Sequence, residues 1–309
     1  MTVRLIGYYS EKRLVMIKIK VPATRANLGP GFDSIGIALT LYNTLRLEEW
    51  DDVVSETVGG INSPIEKDNL IVQTIRDFYK NVGKKFTGVR ITQEINIPMT
   101  RGLGSSSACI VAGVYAANKF LGDIMSEKEL IDYAVNIEGH PDNIVPAAAG
   151  GLIISATEGE KTEFIKHDIS DDISFAAFIP QFEMKTSFAR KILPTQVTLS
   201  DAIYNISRAS LLTAAFIKGD YEKLRIAMQD VIHQPHRLPL IAGCEEIFKL
   251  SEELGAYASY LSGAGPTIIS IINKDNGDFI DKAEKYILEN NMQYNVMLLK
   301  ADNKGIQIF

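Results

Sequence analysis

A glycine- and serine-rich segment, residues 98–108, reads PMTRGLGSSSA and precedes an apolar, helix-like run over residues 109–120. Its glycines permit a tight backbone turn, and the first amides of a following helix have no partner within that helix. Such amides bind anions, while serine hydroxyls can bind phosphate oxygens or a magnesium ion. The segment therefore indicates a phosphate-binding loop, with an ordinary capped turn as the alternative because serine is also a good helix cap.

The context of this loop favours phosphate binding. Residues 89–97 alternate apolar and polar side chains, which predicts a strand, so the order is strand, glycine loop and helix. The P-loop pattern GxxxxGK[ST] does not occur in the sequence, and Ser107 stands where a GxGxxG fingerprint would have its last glycine. A P-loop nucleotide hydrolase and a dinucleotide-binding domain are therefore both disfavoured.

A polar cluster, EGHPDN, occupies residues 138–143 at the predicted end of a helix. One interpretation is structural: Gly139 and Pro141 end the helix, and Asp142 caps the next turn. The other is chemical, because the glutamate, histidine, aspartate and asparagine of one tight turn can bind a divalent cation through oxygen and orient a polar substrate. A lone histidine without a partner at metal spacing argues against zinc.

Two further segments place glycines beside polar residues. Residues 26–33 read ANLGPGFD, which predicts a turn between two strands, and residues 261–267 read LSGAGPT between two strand-like runs. The second segment fits a hairpin connection, and it equally fits a bare backbone surface that a ligand approaches closely. Both interpretations stay open on the sequence.

The apolar periodicity predicts interleaved strands and helices that would position these segments. Strands are predicted over residues 17–21, 35–49 (one or two strands), 89–97, 152–156, 173–179, 257–261, 267–272, 294–299 and 306–309. Helices are predicted over residues 70–80, 109–120, 127–138 and 279–289, and within a helix-rich stretch at 201–254. Ser126 and Glu129 form the pattern of a capping box. The fold class is therefore α+β, with a boundary near residues 168–172.

Composition excludes several classes of protein. The chain has 309 residues, 46% of them hydrophobic and 23% charged, with a net charge of −6 and no basic run, so we expect neither nucleic-acid nor anionic-membrane binding. Its two cysteines, Cys109 and Cys244, make no disulfide framework or metal motif, which predicts a reducing, cytoplasmic setting. Residues 1–15 lack the features of a secretion signal and are interpreted as an N-terminal extension before Met16.

Taken in order, the segments at residues 26–33, 98–108, 138–143 and 261–267 resemble the motifs of the GHMP kinases. Within that family they are most similar to the members that phosphorylate homoserine, and EGHPDN is the discriminating motif. The resemblance implies two domains: an N-terminal domain like ribosomal protein S5 domain 2 over residues 16–168, and a ferredoxin-like C-terminal domain over residues 169–309. It also implies a homodimer.

The resemblance further implies that the protein uses ATP and Mg2+. The triphosphate would lie on the loop residues Pro98, Met99, Thr100, Arg101, Gly102, Leu103, Gly104, Ser105, Ser106, Ser107 and Ala108. Ser106 and Glu138 would bind magnesium, an oxygen-only pair that suits a hard cation. Asn69 would contact the nucleotide base, and a helix N-cap explains the same residue almost as well.

For L-homoserine, the resemblance implies a binding site made of seven residues. They are Asn27, His140, Asp142, Asn143, Thr186, Arg190 and Arg237. An arginine can hold a carboxylate in bidentate fashion, and a carboxylate can neutralise the substrate ammonium group. These charges match an amino-acid substrate.

The predicted mechanism is direct attack by the substrate hydroxyl on the γ-phosphate, with Asp142 and Asn143 as the catalytic, positioning residues. Several GHMP kinases carry a lysine in the first motif that pairs with a catalytic aspartate, whereas Thr24 and Arg25 occupy that neighbourhood here. Arg25 replaces a residue that is usually small in the family, and Ser107 replaces the common alanine. The alternatives are a GHMP kinase for another small molecule and a non-catalytic ATP or amino-acid sensor.

Overall fold

A computed structural model describes residues 16–60 and 69–309 of the chain. Residues 1–15, the predicted extension, lie outside the described part. The strands, in chain order, are β1 Met16–Asn27, β2 Gly31–Glu49, β3 Val53–Gly60, β4 Val89–Ile95, β5 Leu152–Glu158, β6 Lys161–His167, β7 Ile173–Pro180, β8 Ala258–Leu261, β9 Ile268–Asn273, β10 Tyr294–Leu299 and β11 Gln307–Ile308. They form one sheet of seven strands and one of four.

Ten α-helices alternate with these strands in the described part of the chain. They are α1 Leu70–Asn81, α2 Ser105–Phe120, α3 Glu127–Glu138, α4 Pro141–Ala149, α5 Thr186–Lys191, α6 Leu199–Lys218, α7 Leu224–Ala227, α8 Gln234–Arg237, α9 Cys244–Glu253 and α10 Phe279–Glu289. Short 3-10 turns cover Tyr221–Lys223 and Leu238–Leu240. Among the described residues, no helix is both long enough and apolar enough to cross a membrane.

The seven-stranded sheet is organised around the long strand β2. Its first half pairs with β5 through residues 35–37, and its second half pairs with β4 through residues 44–49. The central order is β11-β1-β2-β4-β3, in which β3 runs parallel to β4. Residues 35–49 therefore lie within one continuous strand, whose partner on one edge changes from β5 to β4, while its pairing with β1 on the other edge shifts register between Pro22 and Ala23.

Helices α2 and α4 pack on this sheet and position the glycine loop. Helix α2 has few exposed residues, since side chains such as Ile110, Val111 and Val114 are fully or almost fully buried. A helix that is apolar on most of its circumference must lie inside a domain. The loop at its N-terminus is therefore fixed to a rigid element.

The four-stranded sheet is antiparallel, in the order β10-β7-β9-β8. Its central strand β7 is buried at every position, and α9 and α10 cover one face through side chains such as Ile247, Leu250, Phe279 and Ala283. The end of the chain then returns to the first sheet, where Ile308 pairs with Ile19 of β1. The division into domains at residue 168 stays a prediction.

Most predicted elements agree with the structure. Helix α3 has the predicted bounds, and the capping box forms: Ser126 N donates to Glu129 Oε2 at 2.8 Å, and Glu129 N donates to Ser126 Oγ at 3.4 Å. Helix α2 begins four residues before its predicted start at Cys109, because its first turn consists of serines that carry no apolar signal. Strands β3 and β6 were not predicted, since both are largely exposed and weakly patterned.

Candidate active site

The glycine loop connects β4 to α2, and its last residue, Gly104, is the N-cap of α2 with a left-handed φ of 70°. A Cβ at this position would lie 2.0 Å from Thr24 Oγ1 on β1, so only glycine fits. Thr24 N donates to Leu103 O at 3.2 Å and holds the loop against the strand. The loop therefore has a fixed backbone at the start of a buried helix.

Two serines of the first turn of α2 meet the last residue of α3. Ser107 Oγ donates to Glu138 Oε1 at 2.9 Å, and Ser106 Oγ donates to Glu138 Oε2 at 3.3 Å. The three side chains place a carboxylate and two hydroxyls beside the helix N-terminus, an all-oxygen set of the kind that magnesium prefers. The sequence paired only Ser106 with Glu138, and Ser107 lies closer to that carboxylate.

The turn between α3 and α4 brings a histidine and an aspartate into contact. His140 Nδ1 lies 2.6 Å from Asp142 Oδ1, and the Asp142 side chain is almost completely buried. Burial opposes a charge on the imidazole, but the hydrogen bond to Asp142 and the negative charges of Asp142, Glu138 and Asp33 outweigh it and raise the pKa of His140. The interpretation of Asp142 as a helix cap was wrong: His140 is the N-cap of α4, and Asp142 lies in its first turn behind Pro141.

Two arginines approach the same place from the C-terminal half of the chain. Arg190, the half-exposed arginine of α5, donates two hydrogen bonds to Asp33, at 2.8 and 2.9 Å, and this pairing raises its pKa. Arg237 is buried at the end of α8, and burial together with the nearby charge of Arg190 lowers its pKa to about 10. Both guanidinium groups lie 5.4 Å from the centroid of the Phe32 ring. Both cations therefore contact the same ring at the edge of one cavity.

Backbone carbonyls fix the orientation of Arg237. Its Nε donates to Ala189 O at 3.1 Å, and its Nη1 donates to Gly263 O at 3.0 Å. Asn27 Nδ2 donates to the same Gly263 carbonyl at 3.1 Å, and Asn27 Oδ1 accepts from Asp33 N at 3.1 Å. Asn27 therefore ties the first motif to the turn at residues 261–267.

The turn at residues 261–267 confirms the hairpin interpretation made from the sequence. It connects β8 and β9, which pair antiparallel as a hairpin, and its Gly265–Pro266 peptide bond is cis. Gly263 and Ala264 also line the central cavity. The close approach of this backbone to a ligand stays a prediction.

A single cavity collects most of the predicted site. Its lining residues are Ala26, Asn27, Phe32, Asp33, Thr100, Gly102, Leu103, Gly104, Ser105, Ser106, Ser107, Glu138, His140, Asp142, Asn143, Thr186, Arg190, Arg237, Gly263 and Ala264. All the residues assigned to the acceptor substrate and to magnesium are among them. Phe32 and Asp33 were missed as site residues, although both stand in the first motif, directly after its glycine turn.

A second, more apolar cavity adjoins the first. It is lined by Asn43, Asn69, Leu70, Ile71, Gln93, Ile95, Met99, Thr100, Ser105, Ser106 and Cys109, so that Thr100, Ser105 and Ser106 belong to both cavities. Asn69 also caps α1, with its Oδ1 accepting from Ile71 N at 2.9 Å. Burial and the charge of Glu138 raise the pKa of the Cys109 thiol to about 12, which argues against a nucleophilic role.

Three residues of the predicted phosphate loop line neither cavity. Ala108 is fully buried in the core, and Pro98 is half-buried at the start of the loop. The side chain of Arg101 points towards the second sheet, where its Nε donates to Pro180 O at 3.1 Å and its Nη2 donates to Gln181 O at 2.7 Å. Arg101 joins the loop to the C-terminal half of the chain in this arrangement.

The chain matches known proteins over almost its whole length. Residues 69–151 match the model of the GHMP kinases N terminal domain, and residues 212–283 match the GHMP kinases C terminal model. A homoserine kinase of Clostridium beijerinckii is 44% identical over 95% of this chain and 98% of that protein. A homoserine kinase of Clostridium botulinum is 42% identical over 94% of this chain and 97% of its own length.

A solved structure supports the same relationship. The crystal structure of homoserine kinase from Cytophaga hutchinsonii superposes with a TM-score of 0.84 and 28% sequence identity, and it covers 98% of this chain and 100% of that one. The architecture is that of a small-molecule kinase fold, and the chain belongs to the GHMP kinase family. The predicted fold class, α+β with GHMP N- and C-terminal parts, is confirmed.

Proposed function

We propose that the protein transfers the γ-phosphoryl group of ATP to the hydroxyl of L-homoserine, giving O-phospho-L-homoserine for threonine biosynthesis. The observation that carries this proposal is the meeting, in one cavity, of an anion-binding helix start with two arginines and two aspartates. One side of the cavity suits a triphosphate, and the other suits a zwitterionic amino acid. The relatives named above, which are homoserine kinases, support this choice of acceptor.

On the nucleotide side, the two cavities share Thr100, Ser105 and Ser106 and would together hold ATP. The more apolar cavity, with Asn69 and Met99, would hold the nucleoside, and the shared residues Ser105 and Ser106 would lie beneath the phosphates. Mg2+ would bind Ser106 and Glu138, with phosphate oxygens completing its shell. When bound, the metal neutralises charge that develops on the transferred phosphoryl group.

On the acceptor side, the charges of the cavity complement those of homoserine. Arg190 and Arg237 would bind the carboxylate, and Asp142 would neutralise the ammonium group. Thr186, Asn27 and His140 line the same space. Because Arg190 pairs with Asp33 in the structure, substrate binding would exchange or share that ion pair.

The transfer itself would need positioning rather than a strong base. Thr24 Oγ1 donates to Asn143 Oδ1 at 2.7 Å, which leaves the Asn143 amide hydrogens for the acceptor hydroxyl or the γ-phosphate. Asp142 is already engaged by His140. We therefore infer direct in-line attack by the hydroxyl oxygen on the γ-phosphorus. The bond from the γ-phosphorus to the β–γ bridging oxygen breaks, ADP leaves, and the hydroxyl proton passes to an oxygen of the transferred phosphoryl group. Asn143 and Asp142 would orient the hydroxyl, and the loop amides and magnesium would stabilise negative charge.

We further propose a homodimer that works in the cytoplasm, with no nucleic-acid or membrane partner. The dimer is expected from the family resemblance, and the cytoplasm is expected from the cysteine content. Sedimentation analysis tests the dimer directly. A monomer at micromolar concentration would contradict it.

The function is tested by measuring ADP release with ATP and magnesium. Homoserine, mevalonate, shikimate and galactose are offered in parallel with a control that lacks an acceptor. We expect turnover with homoserine alone. Turnover with another acceptor would overturn the substrate, and nucleotide binding without any turnover would support the sensor.

A further inference from the structure

Arg25 lies directly behind the glycine loop, fully buried on β1. Its Nη1 donates to Gly102 O at 3.3 Å and to Ser262 Oγ at 3.4 Å, while its Nε and Nη2 are buried without a hydrogen-bond partner. None of the ion pairs in residues 16–60 and 69–309 includes Arg25. A buried cation without an anion is costly, and burial lowers the pKa of Arg25 to about 9.

The hairpin of β8 and β9 presents hydroxyl groups towards this arginine. Tyr260 and Ser262 alternate onto one face of the hairpin, and Thr267 faces Ser262 across the turn because Ser262 N donates to Thr267 O at 2.9 Å. Tyr260 Oη and Thr267 Oγ1 are buried without partners, as are the two nitrogens of Arg25. Arg25, Tyr260, Ser262 and Thr267 thus form a buried polar layer behind the loop, in which Arg25 is the charged member.

Two loop carbonyls are anchored from behind the loop, one by this layer and one by the backbone of β1. Gly102 O accepts from Ser262 Oγ at 2.6 Å as well as from Arg25, and Leu103 O accepts from Thr24 N. In a trans peptide the N–H points opposite to the C=O, so these anchors direct the amides of Leu103 and Gly104 towards the cavity that both residues line. Neither amide donates a hydrogen bond to another described residue.

We propose that Arg25 is a positioning residue for ATP: with Ser262 it holds the Gly102 carbonyl so that the loop amides face the triphosphate, and its uncompensated charge favours that anion. The inference rests on the proposed function only in taking the loop to be the nucleotide site. Arg25 touches the loop backbone and not the cavity, so it acts on nucleotide affinity rather than on the acceptor. A bound triphosphate would in turn compensate the buried cation.

The test compares four variants of the full-length protein: Arg25→Met, Arg25→Lys, Ser262→Ala and Thr267→Val. Thr267→Val is the matched control, because it removes a buried hydroxyl from the same hairpin face without touching Gly102. Binding of the magnesium complex of AMP-PNP is measured by titration calorimetry without homoserine. KM for each substrate, kcat and the melting temperature are measured alongside.

We expect Arg25→Met to weaken nucleotide binding about tenfold or more, as loss of a charged hydrogen bond does, with KM for homoserine changed less than about twofold. Arg25→Lys keeps the positive charge but loses the planar guanidinium with its several donors, so its nucleotide affinity should lie between those of Arg25→Met and the wild type. Ser262→Ala should weaken binding by about threefold, and Thr267→Val should not change it.

Unchanged nucleotide affinity in Arg25→Met would overturn the proposal. Equal rises in both KM values would do the same, because they would indicate a general structural role. If Arg25→Met does not fold, Arg25→Lys and Ser262→Ala decide the question, and wild-type affinity in both rejects it. A wild-type protein that binds the nucleotide but leaves homoserine unphosphorylated would refute the proposed function alone.

Discussion

The two sides of the central cavity are built in different ways. The proposed nucleotide side consists mainly of backbone: a glycine loop, a helix start and three consecutive serines within residues 98–108. The proposed acceptor side consists of charged side chains, Asp33, Asp142, Arg190 and Arg237, which are separated by up to 204 residues of sequence, the distance from 33 to 237. A site made of local backbone can be recognised from a sequence motif, whereas a site made of side chains far apart in sequence can be recognised only in the folded structure.

The difference also predicts which kind of substitution should impair each side of the cavity. On the nucleotide side, substitutions that change the backbone conformation should reduce binding most, because no side chain can replace the backbone amides. On the acceptor side, substitutions that remove a charge should reduce binding most, because these residues would bind the acceptor through complementary charges. The predictions for Gly104, Arg190 and Asn69 below each test one side and leave the other as an internal control.

The largest effect is expected from Glu138→Gln, at the meeting of the two sides. Loss of the carboxylate that faces Ser106 and Ser107 should lower kcat by about 100-fold or more, since magnesium stabilises the charge of the transferred group. The measurement is ADP release across a magnesium titration. Glu127→Gln, an exposed position on the first turn of the same helix, is the control and should retain activity. Normal turnover in Glu138→Gln would remove this residue from the metal site.

Gly104→Ala should disable the nucleotide side alone. The added Cβ would lie 2.0 Å from Thr24 Oγ1, at a φ of 70° that alanine disfavours, so the loop must move and nucleotide affinity should fall about 100-fold. Calorimetry with Mg-ADP measures this change. Gly122→Ala has the same backbone strain at φ 84° but open space around its Cβ, and it should lose some stability without losing affinity. Equal losses of affinity in the two variants would show that strain, and not the clash, matters.

Arg190→Met should disable the acceptor side alone. It removes a bidentate donor whose present partner is Asp33, so KM for homoserine should rise about 30-fold while KM for ATP stays within about twofold. Steady-state kinetics with each substrate varied in turn measure the split. Arg208→Met, which likewise removes a guanidinium stacked on an aromatic ring, is the control. A parallel rise in both KM values would contradict the separation of the two sides.

Asn69→Ala tests the nucleoside end of the nucleotide side. It removes an N-cap, which should lower the free energy of unfolding by about 1 kcal/mol, and it should weaken ATP binding about tenfold if the amide contacts the base. Ser126→Ala removes the N-cap of α3 away from both cavities and should reproduce only the loss of stability. Denaturant unfolding and calorimetry separate the two effects. Unchanged ATP affinity would leave Asn69 as a cap only.

The smallest effect concerns the protonation of His140. Asp142→Asn removes the negative charge that raises the pKa of His140, so this pKa should fall, and NMR titration of the imidazole measures it. His233, whose pKa burial lowers, is the internal reference and should not move. The effect of pH on stability follows from the linkage between protonation and folding. The wild-type pair stabilises the fold at pH values below the pKa of histidine in the unfolded chain, and this contribution disappears as the pH rises through the higher pKa of His140 in the folded protein. An unchanged His140 pKa would show that Asp142 does not govern this charge.

Sequence reasoning was most accurate where patterns are strong and local. Helix α3 was predicted with both of its ends, because the capping box at Ser126 and the glycine at Gly139 mark them. Strand β6 was not predicted, because most of its residues are exposed and the sequence shows no clear alternation of apolar and polar side chains there. Asp142 was read as a cap from its place after Gly139 and Pro141, but the preceding His140 takes that position once Pro141 occupies the first helical turn.

The sequence by itself determined the helices other than α4 and α5, most strands and the family, because each rests on spacing within a short window or on motifs in a fixed order. Only the tertiary structure placed Asp33 against Arg190, gave Ser107 a contact with Glu138, and put the cation of Arg25 behind the loop. These contacts join residues from separate elements, and their energies depend on burial and distance. The burial of these residues and the distances between them are set only when the chain has folded.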